Sequence, residues 1–504
     1  MDSIFLMNAS RAIMEIKGVR DALVIMGTDM NKTVLDEFGG MTDAARKAGV
    51  NDLIISLDIE DESLMSAVEE CLTRLITQKT VKTGTEEKVY PSLRQAVTAM
   101  PGANLAVISL PGQFAAAEAK AAIDNGMHIF MFSDNVPVED EVRLKEYAEK
   151  RGLFVMGPGA GTAVLDNTAV GLMSKVRRGQ IGIAAASGSG LQEVAMLVHQ
   201  YGYGISQAIG TGGRDLSQAV GGSTMLRAIR FLEQDEDTKV IVLISKPPHP
   251  ETAQKMFDEV KKCTKPVVVF FLGGDPAQIE AAGAYAAKTL EEAAKAAVRL
   301  LKGEKAEDEG FLTMAKQELV VIAAQEKMKL KSEQQYMRGL FCGGTHSEEA
   351  VLLLQDFVPS LYSNLRFGKA AILPDRRRSD KNTLVDMGDE EFTKGKPHPV
   401  MDPSILNDRL LQEGTDPLVG VILFDLLLGY AVHKDPVGTI EETLREIRRH
   451  SEREGRYISI IASICGTDLD PQGFDSQKHR LEELGVIILP SNGKAALLAG
   501  LIVS

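Results

Sequence analysis

Apolar positions along the chain follow two periods. Short apolar runs at Ala22–Met26, Asp52–Leu57, Ala103–Ser109, His128–Phe132, Leu153–Met156, Gln180–Ala186, Gly204–Ile209, Val240–Ser245 and Pro266–Leu272 read as strands. Between them, Met41–Ala48, Ser63–Thr77, Leu93–Met100, Ala115–Asn125, Val138–Arg151 and Leu191–Gln200 carry apolar residues at helical spacing, and the Ala-rich Gly283–Leu301 reads as helix throughout. This alternation predicts an α/β chain of doubly wound parallel sheets, with ligands at the carboxyl ends of the strands.

The pattern then repeats. Met337–Glu348 parallels Gly182–Glu193: a strand, a small-residue turn, then a helix from Glu349 to Asp356. Leu384–Asp389 parallels the Gly212-Gly213-Arg214-Asp215 segment, Val419–Asp425 parallels Val240–Ser245, and Tyr457–Ile464 parallels Pro266–Leu272, with Gly485–Leu489 and Lys494–Leu501 completing the copy. The expected division is a first αβ domain over 1–160, a second sheet over 161–305, a linker over 306–334 and a third sheet over 335–504. Gly84–Lys88 reads as a polar linker inside the first of these, and the charged Lys302–Gly310 opens the later one.

The turn Ser187-Gly188-Ser189-Gly190 is the leading candidate for chemistry. The first N–H groups of a helix lack partners and carry the positive end of its dipole, so a small-residue turn there suits a phosphate. The same turn without a ligand is an ordinary strand–helix connection. Gly343, Gly344, Thr345, His346 and Ser347 repeat the arrangement, with His346 placed to donate to a phosphate or a leaving nitrogen. Arg214 could clamp an oxyanion, or could pair with Asp215 or another neighbour. Lys246, His249 and Glu251 lie at a strand's carboxyl end, and Asp425, His433 and Asp435 take the parallel place in the copy. Arg376-Arg377-Arg378, flanked by Asp375 and Asp380, reads as a solvated loop, and Gly210 and Gly212 as backbone geometry.

Composition narrows the partners. A chain of 504 residues should hold about three or four domains. A net charge of −14 argues against nucleic acid or an anionic membrane as partner, so an anionic substrate must be met by locally placed cations. Cys71, Cys263, Cys342 and Cys465 are scattered, without metal-type spacing. The start M-D-S-I-F-L-M-N lacks a basic region followed by an apolar core and so does not read as a signal peptide, and Pro417–Val432 is too short and too broken by Asp425 to be expected to span a bilayer. A cytoplasmic protein is expected.

The order of motifs resembles the α subunit of succinyl-CoA synthetase and other ADP-forming acyl-CoA synthetases. Pro91–Val97, Leu110-Pro111-Gly112-Gln113-Phe114, Ala121–Gly126 and Gly157-Pro158-Gly159 look like the end of that family's CoA-binding domain. Gly182-Ile183 with Ser187-Gly188, and Gly210–Asp215, look like its ligase domain. The C-terminal half looks like the matching ligase domain of the β subunit, fused in one chain as in the FdrA proteins. The resemblance implies a Rossmann-like CoA-binding-type domain followed by two flavodoxin-like domains. It further implies one component of an oxamate carbamoyltransferase of allantoin breakdown, working with companion subunits in an oligomer. The substrates would be small anions: phosphate, carbamoyl phosphate, oxamate. The alternatives are an ADP-forming acyl-CoA ligase or a non-catalytic scaffold of the same fold.

Three departures bear on the chemistry. The family's Gly/Ser/Thr-rich CoA-phosphate loop is replaced by Met26-Gly27-Thr28-Asp29, so no cofactor is assigned and CoA is one the resemblance alone implies. Gly157-Pro158-Gly159 replaces a Gly-Pro-Asn. Ala281 stands where the family's phosphorylated histidine opens a His-Ala-Gly-Ala segment, and alanine cannot be a nucleophile. No ATP-grasp segment is apparent, and no Ser-x-Arg-Thr-Arg phosphate loop of the familiar transcarbamylases is present.

Overall fold

The structure, a computed structural model, describes residues 3–14, 16–28, 31–32, 35–36, 39–50, 52–81, 90, 92–307, 311–393 and 397–504. Asp29, Pro91, the Gly84–Lys88 stretch and residues 308–310 lie outside the described residues. The chain divides into two compact units, one built on residues up to Ser92 and the other on Leu93 onward.

The first unit corrects the expectation of one Rossmann-like sheet over 1–160. Val19–Met26 and Leu53–Ile59 pair antiparallel in a sheet of their own, covered by the helices Ser3–Met14 and Met65–Val81. Leu6, Ala9, Ile13, Val24, Val68 and Leu72 form its core. Two apolar runs alone do not reveal pairing direction, which is why the sequence suggested a parallel sheet here.

The second unit contains three sheets. The smallest has the parallel strands Leu105–Ile108, His128–Met131 and Val155–Met156. The first large sheet places Arg178–Ala185 between Ile205–Gly210 and Val240–Ser245, followed outward by Val267–Phe271 and Tyr285–Ala286, all parallel. Numbered along the chain, these five strands lie in the doubly wound order 2-1-3-4-5, whose reversal point sits beside the Arg178–Ala185 strand. A hairpin, Thr162–Leu165 with Thr168–Gly171, adds an antiparallel edge that the sequence reading missed.

The second large sheet repeats that order with Tyr336–Phe341 at its centre, Asn382–Asp386 on one side, and Val419–Leu427, Ser459–Cys465 and Ile487–Leu489 on the other. Leu361–Ser363 and Ala371–Ile372 extend its edge, both parallel and both unforeseen because they are so short. Gly283–Leu301 is not one helix: Gly283 takes φ +84°, Tyr285–Ala286 is a strand, and Thr289 caps the helix Leu290–Leu301. The expected linker 306–334 carries the helix Phe311–Lys327, whose Leu319 and Ala323 join the core of the second large sheet. One apolar cluster runs from Ile183 and Val242 through Leu290 and Ala294 to Phe424 and Ile460, so the two large sheets share a core. Among the described residues no helix is long and apolar enough to cross a membrane.

Candidate functional site

Both central strands end in a small-residue turn and a helix, and the two turns meet. Ser187 is the N-cap of the helix Gly188–Gln200, its Oγ accepting from the Gly190 N–H at 3.0 Å. Gly343 is the N-cap of the helix Gly344–Leu354. Ser187 Oγ and Thr345 Oγ1 share a buried hydrogen bond of 2.7 Å. In the complementary contact, a Cβ on Gly343 would lie 2.6 Å from Ser189 Cβ, so glycine is required there for the two helix ends to approach. Counting from the two N-caps, Ser189 and Thr345 hold the same place, and the two contacts are related by a pseudo-twofold exchange of the halves.

The exchange extends deeper. Glu193, on the first helix, accepts from the Asn492 N–H at 3.0 Å at the start of the helix Asn492–Val503. Glu349, the same number of residues into the second helix, accepts from the Leu290 N–H at 2.8 Å at the start of Leu290–Leu301. Each half thus supplies a buried carboxylate to a helix N-terminus of the other, where unpaired N–H groups and the dipole offset part of the cost of burial. Asn492 ties the set together, donating from Nδ2 to Glu349 at 2.7 Å and to the His346 carbonyl at 3.0 Å.

His346 is wholly buried inside this set. Its Nδ1 lies 2.7 Å from Asp425 Oδ2, and its Nε2 has no hydrogen-bond partner among the described residues but faces Glu193 Oε2 at 3.8 Å. Burial works against the imidazolium. The hydrogen bond to Asp425 and the charges of Glu193 and Glu349 outweigh it, raising the pKa to about 9. Burial raises Glu193 and pushes Glu349 up to about 7. His346, expected to donate to a phosphate or a leaving nitrogen, instead sits buried beneath the two helix ends, where these carboxylates favour its imidazolium form.

The mouth itself is asymmetric. Gly188 is exposed and Ser189 and Gly344 are half-exposed. Lys246, at the end of the Val240–Ser245 strand, donates to Glu348 Oε1 at 2.9 Å, and its Nζ lies 3.4 Å from where a Cβ on Gly344 would be. Asp386 Oδ2 lies 2.8 Å from that same point. Asp386 was not singled out from the sequence. Ser347, though buried, leaves its Oγ without a partner among the described residues.

Other candidates fall elsewhere. Arg214 donates to the Val136 carbonyl at 2.7 Å and pairs with Glu141 at 3.0 Å, in a network where Lys145 joins Glu141 and Asp215 at 2.9 and 2.7 Å. Its predicted oxyanion clamp is thus engaged by neighbours, although not by Asp215 directly. Asp215 accepts from the Met225 N–H at 2.8 Å, anchoring the helix Ser223–Gln234. His249 precedes the helix Pro250–Val260, its backbone N–H bonded to the Leu216 carbonyl at 3.0 Å. Asp435 caps the helix Pro436–Arg453 and pairs with Arg480 at 2.6 Å, while His433 Nδ1 accepts from the Asp435 N–H at 3.1 Å. Arg376 pairs with Asp389 and Glu391. Ala281 ends the short helix Pro276–Ala281 and is exposed. The Gly27 turn packs on the backbone of Gly49, where an added Cβ would meet the carbonyl at 2.3 Å. All four cysteines are free.

Comparison with known proteins places these features in a family. A CoA-ligase family matches residues 340–502, a CoA binding domain matches 177–273, and the AllF heavy metal-associated domain matches 1–91. The last match implies a metal. Residues 1–91 contain a single cysteine, Cys71, and no histidine, and Cys71 is buried with its Sγ 3.8 Å from the Ala12 carbonyl. Soft-metal sites need several thiolates or imidazoles, so this segment does not fit one. The uncharacterized protein YahF of Escherichia coli K12 is 42% identical over 502 residues, covering 99% of this chain and 96% of YahF. The succinate–CoA ligase [ADP-forming] α subunit of Staphylococcus epidermidis is 28% identical over 196 residues, covering 38% of this chain and 62% of its own. Among solved structures, PH0766 from Pyrococcus horikoshii OT3 covers 82% of this chain and 86% of its own at 15% identity and a TM-score of 0.35. The chain belongs to the family of YahF: an α/β protein with a CoA-binding, Rossmann-like domain and a parallel-sheet CoA-ligase domain, homologous to the succinate–CoA ligase α subunit.

Proposed function

We propose that the paired helix ends at Ser187–Gly190 and Gly343–Ser347 cradle the phosphate of a mixed anhydride, and that the chain is the FdrA-type component of an oxamate carbamoyltransferase. It would move a carbamoyl group between phosphate and oxamate with companion subunits, in an oligomer. The observation that carries this reading is the opposed pair of N-termini, bridged by Ser187 and Thr345 and flanked by Lys246, at a centre without a phosphoacceptor histidine. Ala281 replaces the family's histidine, and His346 has its Nδ1 engaged by Asp425 and its Nε2 turned to Glu193. Without that histidine a phosphoryl relay would need another residue as its carrier, whereas a carbamoyl phosphate needs none.

A second reading, an ADP-forming acyl-CoA ligase, is favoured by the CoA-ligase and CoA-binding matches. Thermal melting of the full chain separates the two, since a ligand that binds only the folded state stabilises it by about 2.7 kcal/mol at a hundred times its Kd. Phosphate, carbamoyl phosphate or oxamate should raise the Tm, and CoA should not. Stabilisation by CoA alone, or acid-labile radiolabel retained from ATP or GTP, would turn the assignment to the ligase. Gly188→Val should fold, because a Cβ there meets only Thr162 Oγ1 at 3.5 Å, yet should lose the phosphate response. Wild-type affinity in that variant would remove the cradle from this turn.

A further inference from the structure

The two halves share a scaffold, so residues that break the exchange mark the chemistry. Strand register defines the equivalences. Ala185, two residues before the first N-cap, pairs with Gly210 and with Ile244. Phe341, two residues before the second, pairs with Asp386. Leu340 pairs with Phe424, which sets Asp425 opposite Phe341. Asp386 therefore stands where the first half has Gly210, and Asp425 where it has Ile244. Asp425 is consumed by His346 and by the Cys342 N–H, at 2.7 and 2.6 Å. Asp386 is not. Its Oδ1 accepts from the Gly388 N–H at 2.9 Å, while its Oδ2 has no hydrogen-bond partner among the described residues and points at Gly344, the first residue of the second helix. The residue is only 8% exposed.

We infer that Asp386 is the general acid–base of this site and that Lys246 holds the anionic end of the carbamoyl acceptor beside it, an assignment that rests on the carbamoyl-transfer reading above. In the forward direction the acceptor's amide nitrogen attacks the carbamoyl carbon. An N–C bond forms, the C–O bond to phosphate breaks with its electron pair leaving on the phosphate oxygen, and the nitrogen's proton passes to Asp386 Oδ2. In reverse, Asp386 returns that proton to the departing nitrogen as phosphate attacks. The environment suits both roles: burial and the charges of Asp389 and Asp425 raise the Asp386 pKa to about 7, against the Gly388 N–H and Lys246, which lower it. Around it stand Lys246 from the first half, itself paired with Glu348 of the second helix, Asp389 just past the strand end, Asp425 across the intervening Tyr336–Phe341 strand, and His398, whose Nε2 lies 2.6 Å from where a Cβ on Gly388 would be.

The test uses sulfate, a dianion that does not titrate near neutrality, and calorimetry on the full chain. Wild-type affinity should fall about fivefold or more from pH 6 to pH 8.5 as Asp386 ionises beside the anion. Asp386→Asn, which keeps an oxygen for the Gly388 N–H, should bind at least as tightly as wild type and lose that slope. Glu349 titrates over the same range and is untouched by the substitution, so a slope that survives in Asp386→Asn overturns the assignment. With companion subunits supplied, Asp386→Asn should cut kcat by about 10²–10⁴ with little change in KM and flatten the pH–rate limb. An unchanged kcat or an unchanged limb also overturns it. Failure of the wild-type chain to bind sulfate at any pH would instead remove the cradle, and this inference with it.

Discussion

His346 shows what a single residue contributes. Its folded pKa is raised from 6.5 to about 9, so the stability it adds is present below about 6.5 and is lost as the pH climbs through 9. Glu349 is an acid raised from 4.5 to about 7, which reverses the usual carboxylate sign: its favourable state is the protonated one, complete below about 4.5 and lost by pH 7. At about 1.4 kcal/mol per unit, its share is at most ~3 kcal/mol. Urea unfolding should therefore give a midpoint that falls from pH 5 to pH 7 and again to pH 9; Asp386, raised from 3.8 to about 7, adds to the first step, so Glu349→Gln and Asp386→Asn should each remove part of it and the double variant most of it. A midpoint that rises between pH 5 and pH 7 would contradict this. His346 was legible in the sequence as a rarity beside a glycine pair, but its burial was not, because its partners Glu193 and Asp425 come from other elements. Asp386 was within reach: aligning the two halves strand by strand sets a carboxylate opposite Gly210.

At the scale of elements, the sequence located most strands and helices because buried parallel strands are nearly continuous apolar runs. It located both site turns because a small-residue turn followed by helical spacing is local information. It failed where identity depends on a distant partner, as for the antiparallel Val19–Met26 pairing and the hairpin at Thr162–Gly171. The meeting of the two helix ends is such a long-range fact, and it can be tested by substitution. Ser187→Ala removes an N-cap and should cost about 1 kcal/mol. Gly343→Ala puts a methyl 2.6 Å from Ser189 Cβ and should cost about 1–3 kcal/mol by overpacking. Adding Ser189→Gly removes the two nearest clashing atoms and leaves the 3.3 Å approach to His346 Nδ1, so the double variant should recover part of the lost Tm. No recovery would mean that the helix ends are not in contact.

On the scale of the second unit, the apolar cluster that joins the two large sheets has consequences for folding. Neither sheet buries its helices alone, since Leu191, Val194 and Ala294 pack in the same cluster as Phe424, Ile440 and Ile460. A chain cut to residues 335–504 should expose that face and aggregate or remain partly folded, as dye binding and the loss of near-ultraviolet dichroism would report. Within the whole chain, residues from 161 to 504 should unfold in one calorimetric transition. Two well-separated transitions from that region would show that the shared core is weaker than its continuity suggests.

The hydrogen bond between Ser187 and Thr345 joins residues of a single polypeptide. Where two subunits each supply one helix end, dilution separates the halves of the cradle. Here each half meets the other at an effective concentration set by the intervening chain, which does not fall with the bulk concentration. Sulfate affinity measured per mole of chain should accordingly hold constant from micromolar protein down to the detection limit. Any dilution-dependent loss of the complete enzyme's turnover would then report the departure of companion subunits rather than the opening of the cradle.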